Sequence, residues 1–358
     1  MKLRRRVLFL MALLLIALIG LLYFQTRPAP VLTVMTWPGA YGRAQASAQM
    51  RPYGAEKNID VRPAIWDGDL ADITAMVTKR QFRADVIDLE LPMAVQACNQ
   101  GLLEKIDPAI LPPGADGTPA ARDFVPGAIG PCWAGGMVYS QVMVFSPKLK
   151  HAPENLADFF DTKKFPGKRA LSRAGAKFNL EMALLADGVA PGDIYKTLDT
   201  PQGLDRAFAK LTALNPIWAH DSVGALGWLN NGQAVMITAL NGDVPAPLAP
   251  NTIWDHQLYE LDVLGIPAGD PNRKAALDYI AYATGSAPLA GVASWVAYGP
   301  ARHSSLALVK PNPETGAAMR PLLPTAPENF RRAFAIDNGW WLAHGAAIAP
   351  RWQEFVSR

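Results

Sequence analysis

Arg83 to Pro92 reads RADVIDLELP. Val86, Ile87 and Leu89 suit the interior of a sheet. Asp88 and Glu90 are two residues apart, so in a strand their side chains share one face. Two like charges on one face of a core strand repel each other and resist desolvation. A strand that keeps them is built for more than packing.

The neighbouring sequence gives this strand its setting. VLTVMTW (Val31 to Trp37) reads as a strand ending at an aromatic residue, followed by a PGAYG turn and an Ala- and Gln-rich helix. NIDVRPAI is the next strand, and DLADITAMVTKRQF has apolar residues at helical spacing. ADVIDLEL follows, then the helix PMAVQACNQGLLEKI, with Gly101 at its end. Strand–helix alternation of this kind predicts a parallel α/β sheet with helices on both faces. Leu111 to Pro131 is a Pro- and Gly-rich excursion without a motif. Further strands are expected in MVYSQVMVFSP, QAVMITALNGD and LYELDVLGIPAG, and an amphipathic helix capped by Thr200 in TPQGLDRAFAKLTALNP.

The N-terminus is a separate object. MKLRRR precedes eighteen uncharged residues, Val7 to Phe24, rich in Leu. This is an export signal or a signal anchor, and the positive-inside rule sends the rest of the chain out of the cytoplasm. Residues 1–30 are therefore read as signal peptide or anchor, with membrane association through residues 7–24 where the segment is retained. The net charge of +3 misleads, because five of the 34 basic residues lie in this region; the other 29 face 31 acidic residues. A mildly acidic body argues against nucleic acid as a partner. Cys98 and Cys132 are the only cysteines, and an isolated pair in an exported chain points to a disulfide over a metal site. The alternative is two buried thiols.

A second pair of acids, Glu260 and Asp262, repeats the i, i+2 pattern in another apolar strand, and aromatic residues stand at strand or helix ends at Trp37, Trp218, Tyr298 and Trp340–Trp341. In open α/β sheets ligands collect beyond the carboxyl ends of strands. Aromatic faces with carboxylates suit an ammonium group, since the ring quadrupole attracts the cation and the carboxylate accepts its N–H bonds. Taken singly, an acid at a strand end is more often a cap or an ion-pair partner, and a lone tryptophan is more often core. Asp88 is expected to be tied to backbone or to an arginine. No G-x-S-x-G, H-E-x-x-H, P-loop or G-x-G-x-x-G occurs, and the five histidines lack triad or metal spacing, so no enzymatic activity, cofactor or metal is expected.

NLADFFD (Asn155 to Asp161), KKFPGKRAL (Lys163 to Leu171), NLEMALLADGV (Asn179 to Val189) and GLDRAFAKL (Gly203 to Leu211) form a set, joined by ADVIDLE, GLLEKID and the final GWW…RWQEF. From about Val31 to its end the chain resembles the solute-binding proteins of bacterial ABC importers, in the spermidine/putrescine-type branch. That resemblance implies a type II two-lobed α/β fold, each lobe a mixed sheet flanked by helices, with a hinge between them. Lobe 1 would be 31–137 with 263–310, and lobe 2 138–262 with 311–358. Carried over by position, Trp37, Glu90, Asn241, Glu260, Asp262, Tyr298 and Trp341 would line the ligand site. Departures from polyamine binders are Leu240 in place of a tryptophan before Asn241, Gly175 and Phe178 where acids are expected, and Glu260 in place of an aromatic. They point to a small cationic or zwitterionic solute. The implied partners are that solute and an inner-membrane permease, with the protein a periplasmic monomer, soluble or anchored. Opines, amino-acid derivatives and thiamine are the other ligand readings, and a membrane-tethered sensor the other role.

Overall fold

The computed structural model describes residues 30–358. The signal or anchor expectation for residues 1–30 and the membrane segment 7–24 therefore fall almost wholly outside the described residues. Among those described, no helix is long and apolar enough to cross a membrane.

The strands in chain order are β1 (Val31–Thr36), β2 (Asp60–Ile65), β3 (Val86–Glu90), β4 (Ala134–Phe145), β5 (Arg169–Ser172), β6 (Ile217–Ala219), β7 (Met236–Leu240), β8 (Thr252–Gly265), β9 (Gly299–Pro300) and β10 (Phe334–Ala335). The helices used below are α1 (Gly39–Gln45), α2 (Leu91–Asn99), α3 (Asn179–Ala186), α4 (Pro201–Leu214), α5 (Ser222–Asn231), α6 (Ser286–Trp295) and α7 (Asn338–Val356). The main sheet runs β2-β1-β3-β8-β4-β7-β5-β6, with β9 on β4 and β10 on β8. β1 is parallel to both β2 and β3, as the strand–helix alternation requires. Pro63 is tolerated because β2 is the edge strand. β5, β6 and β7 form a second parallel group.

Two long antiparallel strands, β4 and β8, join these groups, so the two halves share one continuous sheet. The β3 group pairs with the C-terminal end of β8, and β7 pairs with the C-terminal end of β4. β8 begins at Thr252, six residues before the stretch legible in the sequence. Between Gln141↔Leu258 and Met143↔Ile253 its register shifts, and His256 takes a left-handed φ of 51°, which breaks the alternation that marks a strand.

Each end of the sheet has its own apolar cluster. One gathers Leu32, Met50, Val86, Ile87, Leu89, Cys132, Val263 and Tyr279; the other gathers Phe159, Leu180, Leu184, Leu211, Met236, Trp340 and Trp352. Helix ends follow sequence signals: Thr200 accepts from the Gly203 N–H at 3.0 Å to cap α4, and Asp221 from the Gly224 N–H at 2.7 Å to cap α5. Gly101 takes a φ of 71°, closing the turn after α2.

Cys98, on α2, is bonded to Cys132 with Cα atoms 5.9 Å apart. The bridge ties the β3–α2 unit to the segment entering β4. Thiol labelling of the unfolded, unreduced protein is expected to find no reactive cysteine; two labelled thiols per chain would contradict the bond.

Candidate functional site

The opening strand places its acids as its spacing demands. β3 and β8 pair so that Glu90 lies opposite Asp262 and Asp88 opposite Leu264, and β4 sets Tyr139 opposite Glu260 and Met137 opposite Asp262. Residues directly opposite in an antiparallel pair share a face. Asp88, Glu90, Glu260 and Asp262 thus stand on one face of two adjacent strands, with Tyr139 beside them on the third. Asp88, Glu260 and Asp262 are buried and Glu90 is half-buried.

Asp88 is held by neither backbone nor arginine, contrary to expectation. Its Oδ2 accepts from the Gln45 side chain on α1, which also contacts Thr36 and takes part in a 3.3 Å contact with the Tyr41 hydroxyl. The short Gln45 amide reaches Asp88 because α1 starts directly after β1. Asp88 Oδ1 and the buried Trp37 indole N–H make no hydrogen bond, although Trp37 is near enough to pull the Asp88 pKa down. Burial outweighs these donors and pushes Asp88 up to about 7. Burial also holds Asp262 well above the usual carboxylate range, reinforced by Asp88, Glu90 and Glu260. No side chain hydrogen-bonds Asp262 among the described residues. Glu90 is raised by burial and by Glu260, against the opposing pull of Lys177 and Tyr139.

Of the four acids, Glu260 alone has an ion-pair partner among the described residues. Lys177 Nζ lies 2.8 Å from both of its oxygens, and the Tyr139 hydroxyl donates to it at 3.0 Å. Lys177 comes from the turn between β5 and α3, and with Ser172, Phe178, His220, Leu240 and Gln141 it lines an open cleft of about 950 Å³, solvent included. It was not singled out in the sequence, where one Lys before a helix has no distinguishing pattern.

The aromatic residues are arranged around the acids. Trp37 packs on Trp66 with ring centres 5.6 Å apart, and Gly68 (φ 81°) lies so close to its ring that a Cβ would stand 2.6 Å from it. Tyr298 lies 5.2 Å from Tyr41 and 6.2 Å from Tyr139 and rests on the backbone of Gly242. The other two expected contacts stand differently. Asn241 commits both ends to the backbone, accepting from the Ser140 N–H at 2.9 Å and donating to the Ala297 carbonyl. Trp341, in α7, donates to Glu181 at 2.5 Å and packs edge-on against Trp340 within the second apolar cluster. The structure therefore brings together Trp37, Glu90, Glu260, Asp262 and Tyr298, and adds Tyr41, Gln45, Asp88, Tyr139 and Lys177.

Residues 48–321 match the bacterial extracellular solute-binding protein family. The chain belongs to that family. Its members are non-enzymatic transport components that capture small solutes for a membrane permease. The chain is 36% identical over 334 residues to the gamma-aminobutyric acid-binding protein of Pseudomonas aeruginosa, covering 91% of each. Among solved structures it is similar to the Atu4243–GABA receptor, with 28% identity, 91% and 97% of the two chains covered and a TM-score of 0.74. It is also similar to MotA of A. tumefaciens B6 in complex with glucopine, with 26% identity, 91% and 99% covered and a TM-score of 0.70. The fold of this solute-binding protein is accordingly the two-lobed periplasmic one, and Glu260 and Asp262 lie on β8, one of the two strands shared by both halves of the sheet, with Asp88 and Glu90 on the neighbouring β3.

The protonation of these acids predicts a pH dependence. A carboxylate with a raised folded pKa contributes stability fully present below its unfolded pKa and lost as pH rises through the folded value. For Asp88 that window starts near the ordinary carboxylate range and runs to about 7, and Glu90 and Asp262 are shifted in the same direction. The melting temperature of the unliganded protein should fall as pH rises from about 5 to 8, with a shallower fall for Asp88→Asn. An identical slope in wild type and variant would show that Asp88 carries no such linkage.

Proposed function

We propose that this solute-binding protein captures a small solute bearing an ammonium group, with the amine held by Asp88, Glu90 and Asp262 between the rings of Trp37, Tyr41, Tyr139 and Tyr298. The observation that carries this reading is the imbalance of charge: among the described residues, four carboxylates on one face meet one lysine. Buried carboxylates without a counter-ion raise the free energy of the unliganded fold, and an ammonium ligand supplies a counter-charge and further N–H donors. Tyrosine and tryptophan faces add attraction for the same cation.

Relatives that bind GABA bring 4-aminobutyrate forward as the solute, an amino-acid derivative in place of a polyamine. Opines share the combination of amine and carboxylate, and the likeness to a glucopine-binding protein supports them as second candidates. The lobes we propose are 31–137 with 263–310 and 138–262 with 311–358, swinging about β4 and β8. Closure on the ligand would shift an existing open–closed equilibrium. We place the protein in the periplasm as a monomer serving an inner-membrane permease; mass spectrometry of the mature N-terminus reads whether residues 7–24 remain as an anchor.

Isothermal titration with 4-aminobutyrate and with its N-acetyl derivative tests the reading. The amine is expected to bind, and the acetamide, which lacks the charge, to bind at least about tenfold more weakly. Equal affinity for both, or a preferred ligand without an amine in a parallel screen of spermidine, opines and thiamine, would overturn it.

A further inference from the structure

We infer that Lys177 decides which amines this cleft accepts, admitting a solute whose far end is anionic and rejecting one with a second ammonium group. The inference rests on the ammonium reading above and adds what the other end of the ligand must be. Lys177 and the acids approach from different elements: the acids stand on β3 and β8, while Lys177 is carried by the turn before α3 on the wall of the open cleft.

Glu260 is saturated by its neighbours. Lys177 meets both of its oxygens at 2.8 Å and Tyr139 adds a third donor, with the Glu260 side chain 1% exposed. A ligand amine is therefore left with Asp88, Glu90 and Asp262. An ammonium group has three N–H donors, and the Lys177 side chain is 25% exposed. With two donors directed at Glu260, the third is available to an anion in the cleft without breaking the ion pair. Glu260 shares its face of β8 with Asp262, which stands opposite Glu90, so the lysine that touches Glu260 lies one side chain along the sheet from the remaining acids and within the span of one amino-acid-sized molecule.

The backbone supports a placed lysine. Phe178, the next residue, has φ 71° and ψ −46°, a conformation uncommon for a bulky side chain and found where surrounding structure enforces it. The Phe178 ring lies 5.3 Å from Lys177 Nζ and adds a cation–π contact. Asn179 fixes the same turn by donating to the carbonyls of Ser172 at 3.0 Å and Gly175 at 2.8 Å. The lysine thus projects from a rigid turn.

Two probes isolate the effect: 4-aminobutyrate and 1,4-diaminobutane share an amine and a similar length and differ in the sign of the far charge. Titration of wild type should favour 4-aminobutyrate by about ten- to a hundredfold, since like charges in a partly desolvated cleft repel. Lys177→Gln should reduce that ratio at least about tenfold, Lys177→Glu should invert it, and Lys177→Arg should keep it. A structural role alone would weaken both probes together and leave the ratio unchanged. An unchanged ratio in a folded Gln variant overturns the inference, and so does a wild type that prefers the diamine. If Lys177→Glu does not melt as a folded protein, the Gln and Arg variants decide. If wild type binds neither probe, the inference fails together with the reading beneath it, whereas discrimination against the N-acetyl derivative with no Lys177 effect leaves that reading standing and removes only the role of Lys177.

Discussion

Asp262→Asn is expected to lower affinity for an ammonium ligand by roughly ten- to a hundredfold while leaving the unliganded protein as stable as before, or more so. Asn keeps the size of the side chain and one oxygen acceptor and removes the charge. Charge-assisted hydrogen bonds contribute on the order of 1.5–3 kcal/mol, and about 1.4 kcal/mol is tenfold in affinity. Stability should not suffer, because among the described residues no side chain hydrogen-bonds Asp262, and burial, reinforced by Asp88, Glu90 and Glu260, holds its pKa well above the normal range. Glu90→Gln should act in the same direction, with a smaller gain in stability because Glu90 is half-buried and feels Lys177 and Tyr139. Glu260 should behave in the opposite way: Glu260→Gln strands Lys177 beside a buried neutral side chain and lowers the melting temperature. Titration beside melting curves separates these cases. Unchanged affinity with lowered stability in both Asp262→Asn and Glu90→Gln would assign the carboxylates to the fold and remove them from binding.

The sequence made the sheet legible wherever one element sits on one periodic stretch. β1 and β3 have apolar cores, β2 is a short exposed edge strand, and their parallel order follows from the helices between them. The acid face was legible for the same reason, since Asp88 and Glu90, like Glu260 and Asp262, are two apart and the strand repeat does the rest. What the spacing could not show was that the two pairs meet. That depends on the antiparallel register of β3 with β8, residues more than 170 positions away in the chain. Nor could local pattern reveal side-chain partners from distant elements. Lys177 reaches Glu260 across 83 positions, and Gln45 reaches Asp88 across 43. Position alone marks Asn241 and Trp341 as ligand contacts, and their hydrogen bonds to Ser140, Ala297 and Glu181 likewise depend on the fold.

The Pro- and Gly-rich excursion hides the residue with the largest expected effect on stability. Asp123→Ala should cost about 3–5 kcal/mol, the range for leaving one member of a buried ion pair alone. Asp123 Oδ2 accepts from Arg302 Nη1 at 3.0 Å and from the Ser304 hydroxyl at 2.6 Å, and Oδ1 accepts from the Ser304 N–H at 2.8 Å. The two side chains are 1% and 0% exposed. Arg302 also donates to the carbonyls of Thr284 at 2.6 Å and Pro112 at 2.8 Å and lies over the Phe124 ring at 4.1 Å. Arginine stays charged in such surroundings, so Asp123→Ala leaves a cation with no counter-ion and no route to water. Asp123→Asn should cost less, since it keeps an acceptor for Ser304. The damage should also reach the aromatic residues beside the acids, because Arg302 is four residues beyond Tyr298 and anchors that segment to the excursion. Ligand affinity should therefore fall in Asp123→Ala at temperatures where the variant is still folded. Urea unfolding measures the first effect and titration the second. A loss below about 1 kcal/mol, with the affinity of wild type, would show that the pair is replaceable and that Tyr298 is held in place by its contacts with Tyr41, Tyr139 and Gly242 alone.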